Sequence, residues 1–161
     1  MEFLSKHSAE IIALCAVIFT AWQAFIQRKH NRISLKPHLF RYVNRDKHNE
    51  IGRLQFVITN NGLGPAYIKK FQIYLHEKEV NAKEAIESVL GSLVCDSSYT
   101  ILGNDYAMPH NESKVVLSVS FNAKSWEEIN EVEKQLNVLD LHLIYTSAYG
   151  GKFELDTRES S

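Results

Sequence analysis

Few residues in this 161-residue chain have the types and spacing that chemistry needs. Seven histidines stand at positions 7, 30, 38, 48, 76, 110 and 142, none with a neighbour at metal-ligand spacing. His76 and His142 are expected on strands and could meet across a sheet, but a solvent-facing or hydrogen-bonded histidine is the ordinary outcome there. Neither of the two cysteines, Cys15 and Cys95, is near a histidine in sequence. Cys15 lies in an apolar run and Cys95 far downstream, so no disulfide is expected, and free thiols suit a reducing cytoplasm. Asp105, His110 and Glu112 share one polar loop, a density normal for loops and too sparse for an acid–base pair. No Gly-x-Ser-x-Gly and no His-Glu-x-x-His occurs. The expectation is a non-enzyme, with no catalytic residue, cofactor or metal.

Gly62-Leu63-Gly64 invites a phosphate-binding reading, which the spacing denies. A dinucleotide loop needs a third glycine at position 67, which is Tyr67, and it opens a helix where strand periodicity follows here. A Walker-type loop fails because Pro65 and Ala66 follow Gly64. Gly62, Gly64 and Pro65 therefore read as a structural turn between two strands.

Behind these residues stands the stretch Ala9–Ile26, the one long apolar run in the chain. As a helix it measures roughly 27 Å, close to a bilayer's hydrocarbon thickness. Ile11, Ile12, Leu14, Val17, Ile18, Phe19, Trp22 and Phe25 are the expected membrane-anchoring side chains. Glu10 and Gln23 fall near its two ends, within reach of an interface. A cleaved signal peptide would place its basic residues ahead of the apolar run. Here Lys6 is opposed by Glu2 and Glu10, while Arg28, Lys29 and Arg32 follow the run. The positive-inside rule then puts that basic juxtamembrane cluster and everything after it in the cytoplasm, with a short N-terminal segment, residues 1–8, outside. Residues 27–37 are expected to be a linker, extended at its end, where Pro37 bars Lys36 from helix.

The remaining residues, 38–161, suit a single hydrophobic core. From residue 33 onward 17 acidic residues face 14 basic ones, a net charge of −3. Such a domain lacks the basic face that nucleic acid requires. Alternation predicts strands at 38–43 with Phe40 and Tyr42 inward, at 53–59 with Leu54, Phe56 and Ile58 on one face, and at 67–76 with a bulge at Lys69-Lys70. Asn44–Gly52 reads as a turn, and 103–111 as a loop. A short strand is expected near 99–102, and another over 114–121 with Val115, Leu117, Val119 and Phe121 inward. A C-terminal hairpin of 139–147 and 152–157 turns at Gly150-Gly151. Two helices interrupt the strands. The first, 81–93, starts at the Asn81/Glu84 capping pair; the second, 125–136, starts at Ser125/Glu128. In the second, Trp126, Ile129, Val132 and Leu136 form the apolar stripe, and Glu127, Glu128, Glu131 and Glu133 are expected in water.

His30, Asn31, Arg32, Lys36, Pro37 and the turn Asn61-Gly62-Leu63-Gly64-Pro65-Ala66 resemble a pattern in bacterial proteins that have a single membrane helix and a small immunoglobulin-like domain. The match covers roughly the first half of the chain, and that family has no assigned reaction. The resemblance implies an inner-membrane protein with an immunoglobulin-like domain. The second half of the chain is unmatched by it, and the count of strand runs with two helices between them makes the expected fold mainly β, a β-sandwich with the two helices as inserts. The leading functional expectation is a membrane-anchored, non-enzymatic interaction module or accessory subunit. Its partners are the lipid bilayer and another protein or a second copy, with no nucleic acid. Lys69, Lys70, Tyr74, Tyr149 and the acidic face of the second helix are candidate contacts. The alternatives are an oligomeric pore or membrane-disrupting effector gated by the cytoplasmic domain, and a ligand sensor with a polar pocket between its sheets.

Overall fold

The computed structural model describes residues 7–158. The expected N-terminal segment 1–8 thus lies mostly outside the described residues. The chain divides into two compact units, Met1–Leu35 and Lys36–Ser161. The first holds helix α1, Ser8–Ser34, which is long and apolar enough to cross a membrane and has no buried residue. Ile11, Ile12, Leu14, Val17, Ile18, Phe19, Trp22 and Phe25 are all exposed along it. The helix runs on through most of the stretch expected as linker. Gln27, Arg28 and Lys29 are good helix formers, and neither glycine nor proline intervenes before Pro37. The extended part is therefore short.

The second unit contains strands β1 (Leu39–His48), β2 (Ile51–Asn60), β3 (Ala66–Leu75) and β4 (Lys78–Val80), then helix α2 (Ala82–Leu90). Strands β5 (Val94–Tyr99), β6 (Ala107–Met108) and β7 (Ser113–Asn122) follow, then helix α3 (Trp126–Leu136) and strands β8 (Leu139–Thr146) and β9 (Lys152–Asp156). Among the described residues they form two sheets. One has the order β1-β2-β7-β5; the other has β4-β3-β8-β9, with β6 on the end of β3. Alternation explains the core between them: Leu54, Phe56 and Ile58 of β2 and Leu141, Leu143 and Tyr145 of β8 are buried in one cluster. Both helices are capped as their sequences demand, by Asn81 accepting from Glu84 N at 2.8 Å and Ser125 accepting from Glu128 N at 3.3 Å.

Several local expectations are corrected. Strand β1 runs through Asn44–His48, and the chain reverses at Asn49, where φ is +55°, so the expected turn shrinks to two residues. Its aromatic face points out: Phe40 is 49 % and Tyr42 40 % exposed. The inner face carries Arg41, whose guanidinium lies over the Phe56 ring at 4.1 Å and donates to Leu139 O at 3.2 Å. Burial lowers the Arg41 pKa, and the Asp140 and Glu133 carboxylates push it back up. In β7 the register shifts opposite Phe56/Val57, so Val116 joins Leu117 in the core and Val115 is left on the surface. The strand expected at 99–102 lies at Val94–Tyr99, and the 103–111 loop contains β6. On α3, Trp126 is exposed, whereas Glu133 is buried and pairs with Arg45 at 2.5 Å. A charge that leaves water needs such a partner.

The chain enters the second unit through a polar hub. Pro37 is buried, and His38 N donates to the buried Asn60 Oδ1 at 3.1 Å. Gly62 of the glycine-rich turn passes against the backbone of Lys36–His38. Leu39 N donates to Tyr145 Oη at 3.3 Å, which fastens the start of β1 to the opposite sheet.

Candidate functional site

The first candidate is the edge of β3 away from β8. At one end β4 pairs with Ile73–Leu75; at the other β6 pairs with Ala66 and Tyr67, and Ile68 exchanges backbone hydrogen bonds with Asp105 and Tyr106. Among the described residues, no strand pairs with Lys69–Gln72 on that side. The expected bulge falls in this gap, as a register shift between Ile68 and Lys70. Beside it lies a cleft of about 320 Å³, lined by Phe71, Gln72 and Ile73 of β3, Glu79 and Val80 of β4, Asn81, Ala82 and Glu84 at the start of α2, and Ile101. Ile101 is 64 % exposed there. Glu79 accepts from Gln72 Nε2 at 2.5 Å, and Glu84 from Asn81 Nδ2 at 3.3 Å. The cleft is thus an apolar slot with two carboxylates and an open strand edge, the chemistry of strand addition.

The second candidate is the outer face of the same sheet. Register sets His142 opposite Asp156 on β9 and opposite Gln72 on β3. The ligand atoms of His142, Glu154 and Asp156 lie within 4.8 Å of one another. His142 Nε2 is 2.6 Å from Glu154 Oε1, and its Nδ1 is 3.3 Å from Gln72 Oε1. Asp156 already holds a cation, because Arg158 Nε donates to its Oδ1 at 2.8 Å while the guanidinium lies 4.4 Å over the Tyr74 ring. An internal guanidinium therefore stands where a metal ion would have to bind, so the trio fits a neutralised polar surface better than a metal centre.

Arg158 holds the Asp156 carboxyl at a pKa of about 2, below the ordinary carboxylate range, and burial works against that shift. A depressed folded-state pKa stabilises the fold in full above the unfolded value, near 4, and that contribution is lost as pH falls toward 2. Arg158→Gln is expected to return the Asp156 titration, followed by carboxyl-carbon NMR, to the ordinary range. A titration still centred near 2 in that variant would remove Arg158 as the cause.

The contacts expected from sequence do not gather in one place. Lys69 pairs with Asp105 at the β3 edge, Lys70 lies along β3 opposite Ile144, and Tyr74 is covered by Arg158. Tyr149 is exposed at the β8–β9 turn, at the other end of β8 from the partner of Tyr74, Asp140. Nor do Asp105, His110 and Glu112 converge. His110 Nδ1 is 2.8 Å from Gly62 O, and Glu112 accepts from Tyr106 Oη at 2.7 Å and pairs with Lys114 at 3.2 Å. Burial, then Glu112, push the Tyr106 pKa up. His76 stands in the β3–β4 turn at φ +48°, so it does not meet His142 across a sheet. Cys15 and Cys95 are free and exposed. Sequence reasoning missed Asn60, Arg41 and the cleft itself. The first sits in an Asn-Asn-Gly string that reads as turn, and the last is assembled from three separate stretches of the chain.

Residues 5–159 match the model of a family described as Domain of unknown function (DUF8453). No curated protein matches the chain.

Proposed function

The chain belongs to the DUF8453 family, and from that premise we propose that it is a membrane-anchored, non-enzymatic interaction module or accessory subunit, holding a cytoplasmic binding domain at the bacterial inner membrane. One observation carries this reading: an apolar helix exposed along its length is joined within a few residues to a domain with an open strand edge over a cleft. Arg28, Lys29 and Arg32, which follow the apolar run, support a cytoplasmic domain and an outside N-terminus. The orders β1-β2-β7-β5 and β4-β3-β8-β9 support an immunoglobulin-like sandwich, since they follow the A-B-E-D and C′-C-F-G arrangement with α2 and α3 as inserts.

The test is intact-complex mass measurement of the tagged full-length protein, purified in gentle detergent at native expression. A stoichiometric second protein is the expected result; a lone monomer overturns the reading. Topology is checked in a Cys15→Ala background. Cys95 should resist a membrane-impermeant maleimide in intact cells and react after permeabilisation. Labelling in intact cells would reverse the proposed orientation.

A second reading, an oligomeric membrane effector, is favoured by the helix itself. At 100° per residue, Ala13, Ala16, Thr20, Gln23 and Gln27 share one face of α1, a pattern suited to helix–helix packing. A homo-oligomer with nothing else bound, and depolarisation on overexpression relieved by Glu10→Ala, would favour it. Unchanged membrane potential would remove it.

A further inference from the structure

The cleft beside β3 specifies its occupant by what it lacks. The four residues Lys69–Gln72 span roughly 13 Å of strand edge, which only an extended backbone can complement. Two carboxylates, Glu79 and Glu84, line the cleft, and none of its lining residues is lysine or arginine. Of the lysines close in sequence to the lining residues, Lys69 pairs with Asp105 and Lys83 with Glu87, while Lys70 and Lys78 are not among the residues that line the cleft. The apolar part, Phe71, Ile73 and Ile101, suits the methylene stem of a long cationic side chain whose charged head reaches a carboxylate.

We infer that this cleft binds an extended, basic segment of a partner protein, added as a strand to the β3 edge, with a lysine or arginine stem along Phe71 and Ile101 and its head at Glu79 and Glu84. The inference rests on the interaction-module reading and gives it a site and a partner chemistry. A second copy of this chain is a poorer occupant. Its own open stretch of β3 is recessed between β4 and β6, so the two gaps cannot approach each other edge to edge.

The experiment uses the full-length protein in phosphatidylcholine nanodiscs, whose neutral surface does not itself attract basic peptides. Two fluorescein-labelled heptapeptides, alternating valine with lysine and valine with glutamate, are titrated by anisotropy. Amide exchange of Lys69–Gln72 is followed in parallel. The basic peptide is expected to bind about tenfold or more tighter than the acidic one, and to slow exchange at those amides. Glu79→Lys/Glu84→Lys should invert the preference. Because Glu84 supports the cap of α2, Ile101→Lys provides a second variant, expected to weaken the basic peptide about tenfold without touching a capped helix. Equal affinities, a preference that survives both variants, or binding with no protection at Lys69–Gln72 would each overturn the inference. A stoichiometric partner in the intact complex together with any of those results would sink the cleft and leave the module standing. Peptide binding with no native partner would do the reverse.

Discussion

Gly62→Ala is expected to destabilise the domain by about 3 kcal/mol and to lower its melting temperature by roughly 10 °C. A Cβ at this position would sit 2.3 Å from His38 N, 2.4 Å from Lys36 O and 2.5 Å from Pro37 C. All three are backbone atoms, so no side-chain rotation relieves the clash. The segment that would have to move is held from both sides. Gly64 N reaches Lys36 O at 3.5 Å, and Asn61 N donates to His38 O at 2.8 Å. The glycine is required by close approach. Gly103→Ala is the control, since an added Cβ there meets nothing within 4 Å and its effect should stay within about 0.5 kcal/mol. Scanning fluorimetry of the full-length protein in detergent measures both. Equal melting temperatures for the two variants would show that the Lys36–His38 strap yields easily, against this account.

The same turn shows what was legible in the sequence. Its chemistry, two glycines and a proline between β-like runs, announces a tight connection; that it clasps the segment leading into β1 depends on contacts with residues more than twenty positions upstream. Strands with one buried face were readable because burial imposes a period of two, as in Leu54, Phe56 and Ile58. The reading failed where a single residue broke the rule. Arg41 on the inner face of β1 is tolerable only because Leu139 O and the Phe56 ring receive it, and both are remote in sequence. An extra residue, Val116, turned Val115 outward, and Glu133 went under because Arg45 waits for it on β1. The candidate cleft was unreadable for the same reason. Phe71, Glu79, Glu84 and Ile101 become neighbours only once β4, α2 and the following loop are folded against β3.

Replacing Asn60 should have an effect as large as truncating a buried core side chain, about 3–5 kcal/mol for Asn60→Ala. The residue is 0 % exposed, and every polar atom of its side chain is engaged. Oδ1 accepts from His38 N at 3.1 Å and Gly62 N at 3.0 Å; Nδ2 donates to Gly64 O at 2.8 Å, Met108 O at 2.9 Å and Pro109 O at 3.2 Å. Truncation strands two donors and three acceptors in a site with no room for bulk water. Asn60→Asp separates the two halves of that role. It keeps an acceptor for His38 and Gly62 but points a carboxylate at three carbonyls, so its charged form is disfavoured and its folded-state pKa must lie above the unfolded value. The sign then follows: Asn60→Asp is at its most stable below about pH 4, where the carboxyl is protonated in both states, and loses stability as pH rises through the elevated folded pKa. Relative to Asn60→Ala, whose site does not titrate, the Asp variant should gain stability on acidification from pH 7 to pH 5. Parallel pH profiles for the two variants would mean that the three carbonyls do not define the site. Because Oδ1 is the acceptor for His38 N and Gly62 N, Asn60→Ala should also speed amide exchange at His38 and Gly62 before the rest of the domain opens, whereas Asn60→Asp should largely keep their protection. Asn60 thus fixes the backbone of the segment that leads into β1, and its loss should free that segment first.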